Sequence, residues 1–128
     1  MNLLDKFSID ELSSAIIRNL DDKYLKKIYL SEPERNNVTG HCYLASEVFY
    51  HLTGGKEKWT PQVGHDGEGT HWWLKDKHSN TIVDVTSSQY TDFGQEPPYE
   101  TGKGCGFQQI SNNCKIVMEK VITDLLGK

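Results

Sequence analysis

A chain of 128 residues with 36% hydrophobic and 25% charged side chains can bury one modest core and leaves little room for a second, so a single domain is expected. Its net charge of −4, with no basic block longer than Leu25-Lys26-Lys27, argues against the clustered cations that nucleic acid or an anionic membrane surface demands. The start has an acidic residue at position 5 and no basic region ahead of an apolar run, and no stretch is long and apolar enough for a bilayer, so the expected location is the cytoplasm. Cys42, Cys105 and Cys114 form no Cys-x-x-Cys pair, and the five histidines are scattered. Neither a disulfide framework, nor a metal site, nor an organic cofactor is expected from them.

In chain order, Ser8 and Glu11 have capping-box spacing, and Leu12, Ile16, Ile17 and Leu20 mark one face of a helix over 8–19. A second short helix is expected after Asp21-Asp22, running to about Leu30 before Pro33 stops it. Residues 31–40 are polar and turn-rich. A third helix begins near His41 with an inward stripe of Leu44, Val48, Phe49 and Leu52, and ends at Gly54-Gly55. Three extended segments follow, 60–65, 70–76 and 81–86, separated by breaker runs. Residues 87–113, with Pro97-Pro98 and several glycines, show no period and are expected to form a long surface loop. An amphipathic helix over 115–128 closes the chain. The fold class expected is α+β, with helices packed on a small antiparallel sheet.

Cys42 falls in the first turn of the third helix, where unpaired N–H groups and the positive dipole end favour a thiolate. A nucleophilic cysteine also needs a base and a group to orient that base. The base candidate is His71, at the head of 70–76. If the hairpin loop is even and paired residues sum to 155, Asp84 lies directly across from His71, where it can hold one ring nitrogen and leave the other for the thiol. Asp84 sits between Val83 and Val85, an odd place for an unpartnered charge. The other histidines carry less: His41 is expected to be exposed, His51 lies on another level of the helix, His65 is a weak rival base, and His78 is solvated in a turn.

The run Gly40, Cys42 and Ala45, then His71 with Trp72 and Trp73, then Asp84 with Thr86 resembles the core of the transglutaminase-like superfamily of papain-like Cys-His-Asp thiol enzymes. The likeness covers about 50 residues, 40–89. It implies an α+β core with the nucleophile at a helix N-terminus, residues 1–39 supplying helices and a loop, 40–90 the triad, and 91–128 a cleft loop and the last helix. It implies acyl transfer through a thioester on Cys42 (amide hydrolysis, deamidation or transfer) to a protein, peptide or small amide substrate. Val85 stands where the family often has proline. No glutamine upstream of Cys42 completes an oxyanion hole, which leaves Asn36, Asn37, Trp72, Trp73 and Gln89 as candidates for the hole or the cleft wall. The loop 99–107 is expected to cover one side of that cleft. The contrasting expectation is an inactive binding or inhibitor protein that keeps the fold, and the compact chain suits a phage-borne gene.

Overall fold

The computed structural model describes residues 2–127. Helix α1 (Ile9–Arg18) starts where expected: Ser8 Oγ accepts the Glu11 N–H and the Glu11 carboxylate accepts the Ser8 N–H, both at 3.0 Å, so two orphan donors are satisfied reciprocally. A short α2 (Lys27–Leu30) follows, then α3 (Cys42–Leu52). Strands β1 (Trp59–His65), β2 (Thr70–Asp76) and β3 (Ile82–Val83) come next, then one turn of helix, α4 (Ser88–Thr91), a two-residue β4 (Lys103–Gly104) and the closing α5 (Asn112–Leu126). The sheet order is β3-β2-β1-β4, antiparallel throughout. No helix among the described residues is long and apolar enough to cross a membrane.

Successive side chains on β2 point to opposite faces. Leu74 lies on the helix side, in a core with Leu12, Ile16, Val48, Phe49 and Val117 from α1, α3 and α5. Each such side chain taken from water contributes about 1.5–3 kcal/mol. Trp72 shares that face but sits at its margin, edge-on to Tyr43 at 4.9 Å and beside Phe107 at 5.6 Å. His71 and Trp73 point the other way and are covered by the 84–102 segment. Glu47 joins the helices: its carboxylate accepts the Ser111 N–H at 3.0 Å and the Ser111 hydroxyl at 2.9 Å. It thereby neutralises the positive start of α5.

Two expectations about the second half fail. The third extended segment shrinks to Ile82–Val83, and its pairing, Leu74↔Val83 and Lys75↔Ile82, is shifted by two residues from the register that sets His71 opposite Asp84. The cause is the turn. Asp76 accepts the His78 N–H at 2.8 Å, Asn80 adopts φ 61, and the hairpin closes between Asp76 and Thr81 rather than between Lys75 and Asn80. A shift of two keeps side chains on the same face, so Asp84 remains on the His71 side, now beyond the end of β3. The region 87–113 is also more structured than expected, because β4 pairs with β1 through Gln62↔Gly104 and Val63↔Lys103.

That added strand brings Gly102 over Trp73. A Cβ there would fall 2.5 Å from the indole and 3.1 Å from the Tyr99 carbonyl, and Trp73 is 1% exposed with no room to yield. Gly102→Ala is expected to lower the unfolding free energy by about 1–3 kcal/mol through overpacking. A thermal midpoint unchanged from the parent protein would show that this approach is looser than described.

Candidate active site

The approach to α3 depends on Gly40, whose φ of +83 suits glycine. A Cβ there would meet the Tyr29 ring at 2.7 Å. With the chain turned this way, Cys42 becomes the first residue of α3 and is 8% exposed, at a helix start whose leading N–H groups have no partner within the helix. His41, expected at the surface, is instead 2% exposed. The 31–40 loop folds over it and ties down beside it through the Arg35–Asp22 ion pair at 3.3 Å. Burial lowers the His41 pKa against the opposing pull of Asp22, so its ring is a packed neutral group rather than a charge beside the thiol.

His71 and Asp84 meet although their strands are out of the expected register. The His71 Nε2–H donates to Asp84 Oδ2 at 2.7 Å, with the two side chains 0% and 3% exposed. The same carboxylate accepts the Tyr99 hydroxyl at 2.8 Å on Oδ2 and the Thr86 N–H at 3.2 Å on Oδ1. The other ring nitrogen, Nδ1, is sealed from solvent without a well-formed hydrogen bond. Its polar neighbour is the Cys42 thiol, near enough to act on the ring by hydrogen bonding and charge. Burial alone would lower the His71 pKa, but the Asp84 hydrogen bond, the Cys42 thiol and the charges on both raise it to about 9. The ring is held in place by Tyr90, edge-on at 4.8 Å, and by Trp73 at 5.7 Å.

Tyr90, Tyr99 and Asp66 are absent from the sequence reading. Burial and then Asp66 raise the Tyr90 pKa, and burial and then the Asp84 charge raise that of Tyr99. Both phenols therefore act as neutral donors. Tyr90 donates to Asp66 Oδ2 at 2.7 Å, and Asp66 Oδ1 accepts the Glu68 and Gly69 N–H groups, each at 2.8 Å. The spacing of these residues carries no period that could have flagged them, because Asp66 comes from the β1–β2 turn, Tyr90 from α4 and Tyr99 from a separate helical turn.

Cys42 opens onto a cleft of about 360 Å³. Gln89 lines it; the Oε1 atom is buried and unpartnered, and the amide makes no hydrogen bond within the protein. The other candidates lie elsewhere. Asn36 spends its amide N–H groups on the Ser88 carbonyl at 3.0 Å and Asp92 Oδ2 at 2.8 Å, because it anchors the 31–40 loop to α4. Asn37 is exposed and outside the cleft, and neither Trp72 nor Trp73 lines it. The 99–107 loop does not cover it either. Tyr99 and Thr101 border a neighbouring groove of about 660 Å³, as does the exposed His65, while Cys105 is exposed outside both. The walls of the Cys42 cleft come from 28–40, 66–70 and 89–95, since β4 draws the glycine-rich loop away to the sheet edge.

Among the described residues, one group has metal-ligand geometry: Glu47, His51 and Cys114, whose ligating atoms lie within 4.8 Å of one another. Both Glu47 oxygens already accept from Ser111, and burial followed by the Glu47 charge pushes the Cys114 thiol up to about 12. As it stands the group is a protonated thiol and a capping carboxylate joining α3 to α5. Compared with protein-family models, with curated proteins and with solved structures, the chain matches none.

Proposed function

We propose that this protein is a cysteine-dependent acyl-transfer enzyme of papain-like, transglutaminase-like design, acting on an amide or ester through a thioester on Cys42. The observation that carries the reading is the His71 ring: one nitrogen is held by Asp84 at 2.7 Å, and the other is left unpartnered beside Cys42 at the foot of a cleft. What sets this ring apart from the other buried histidines is the carboxylate on one nitrogen and the thiol beside the other.

In the proposed reaction, the Cys42 proton already rests on His71 Nδ1, and the Sγ thiolate attacks the substrate carbonyl carbon. As the tetrahedral intermediate collapses, the carbon–nitrogen bond breaks and the imidazolium returns its proton to the departing amine. Water or a second amine, deprotonated by His71, then attacks the thioester carbon, and the sulfur leaves with that proton. Asp84 orients the ring and stabilises its charged form without accepting the proton itself. The negative oxygen is received by N–H groups of the first turn of α3 and by the Gln89 amide, which lines the cleft and makes no hydrogen bond within the protein. Such a thiol needs a reducing compartment, which suits the cytoplasm.

Mass analysis after exposure to p-nitrophenyl acetate tests the reading. An acetyl group is expected on Cys42, decaying as turnover proceeds, with none gained at that position in Cys42→Ser. Gln89→Ala is expected to slow acylation by about a hundredfold while leaving alkylation of Cys42, which forms no oxyanion, at the parental rate. Acetylation confined to the exposed Cys105 would sink the proposal.

A further inference from the structure

The Cys42 cleft and the neighbouring groove adjoin: they share Asp66, Glu68, Tyr90 and Gln95 along their common border, and together they make an acidic trough from Cys42 to the surface beside Tyr99. Glu32, Glu34, Asp66 and Glu68 line the first part, and Asp66, Glu68, Glu96 and Glu100 the second; no lysine or arginine among the described residues lines either. The trough is marked as a ligand site independently of this charge. At its Cys42 end, Gln89 lines the cleft with its Oε1 atom buried and without a hydrogen bond. Carboxylates along low-dielectric walls reinforce one another and attract cations over several ångströms. Asp66 is fixed in its ionised form by Tyr90 and two backbone N–H groups, so part of this field is preorganised. The cleft and groove, of about 360 and 660 Å³, also offer more room than one side chain fills.

We infer that the substrate is a basic peptide segment, laid along the trough with lysine or arginine side chains against these carboxylates and its scissile carbonyl over Cys42. This rests on the acyl-transfer reading for the chemistry, but the preference for positive charge belongs to the trough and survives without it. Basic side chains would reach Glu32, Glu34, Asp66 and Glu68 in the cleft and Glu96 and Glu100 in the adjoining groove. Acidic peptides would be repelled along the whole path.

The test uses the full chain and three methanethiosulfonate reagents that differ only in charge: cationic (trimethylammonium), neutral (methyl) and anionic (sulfonate). Modification of Cys42 is followed by peptide mapping, with the exposed Cys105 as internal reference. The cationic reagent is expected to modify Cys42 at least about tenfold faster than the anionic one at low salt, with the ratio shrinking as salt rises. Glu32, Glu34 and Glu68 are exposed and make no side-chain hydrogen bond, so the combined E32Q, E34Q and E68Q variant should fold and lose most of the ratio. A lysine-rich peptide should slow Cys42 modification, whereas a glutamate-rich peptide of equal length should not. Equal rates with cationic and anionic reagents would overturn the inference. Protection by spermidine as strong as that by the peptide would overturn the peptide assignment in favour of a small polyamine. The chemistry is judged separately: His71→Ala lowers all three rates and, because it removes a cation beside the sulfur, does not lower the cationic-to-anionic ratio. Slow modification with a high ratio therefore rejects only the nucleophile, and fast modification without a ratio rejects only the basic substrate.

Discussion

Replacing His71 with alanine is expected to slow iodoacetamide labelling of Cys42 by roughly a hundredfold at about pH 6, because a free thiol titrates near ~8.5 and is almost wholly protonated there. In the parent protein the imidazole is charged across this range, its pKa being raised to about 9 by Asp84 and Cys42 against the opposing effect of burial. A charged ring beside the sulfur favours the thiolate, and the unpaired N–H groups at the start of α3 add to that. Cys105 is exposed and outside the site, so its labelling should be the same in both proteins. Mass-resolved labelling rates against pH make the measurement. A Cys42 rate at acidic pH that His71→Ala leaves untouched would remove the main support for a catalytic thiol.

Removing Asp84 should be costly to the fold as well as to the site. Its carboxylate, 3% exposed, serves the His71 ring, the Tyr99 hydroxyl and the Thr86 N–H together. Breaking a buried pair commonly costs about 3–5 kcal/mol because one charge is left uncompensated. His71 can shed its proton instead, so Asp84→Ala is placed at the lower end, roughly 3 kcal/mol at neutral pH. The pH dependence follows from the raised folded-state pKa. The unfolded histidine titrates near ~6.5, so the folded state binds the proton more tightly. The stabilisation from this pair is fully present below about pH 6.5 and is lost as pH rises through about 9. Denaturant midpoints measured across that window should fall with pH in the parent protein and stay flatter in Asp84→Asn. A parent profile with no slope there would mean that the ring is neutral in the folded protein.

Local signals in the chain were legible wherever one residue and its near neighbours decide the structure. The Ser8–Glu11 box starts α1, the cysteine lies in the first turn of α3, and β2 spans the expected 70–76. His71 and Asp84 could be singled out because a charge between Val83 and Val85 calls for a partner on the same sheet face. Their register could not be read, because it is set by the Asp76 and Asn80 turn rather than by the strand pattern. An even shift moved the pair without separating it. Burial of His41 was illegible for a related reason: the covering loop is anchored by Asn36 to α4, some fifty positions away in the chain.

The composition and periodicities by themselves determined a helix-and-sheet protein of α+β class, its main apolar stripes, and a short set of residues with chemistry to offer. Which of those residues face one another was decided only in three dimensions. Short-range capping and periodicity act between residues a few positions apart, and the chain order preserves them. The Tyr99 contact to Asp84, the Gln89 amide in the cleft, and the carboxylates lining the cleft and the neighbouring groove join segments that are distant in sequence. Their proximity exists only after β4 has paired with β1 and the 84–102 segment has closed over His71 and Trp73.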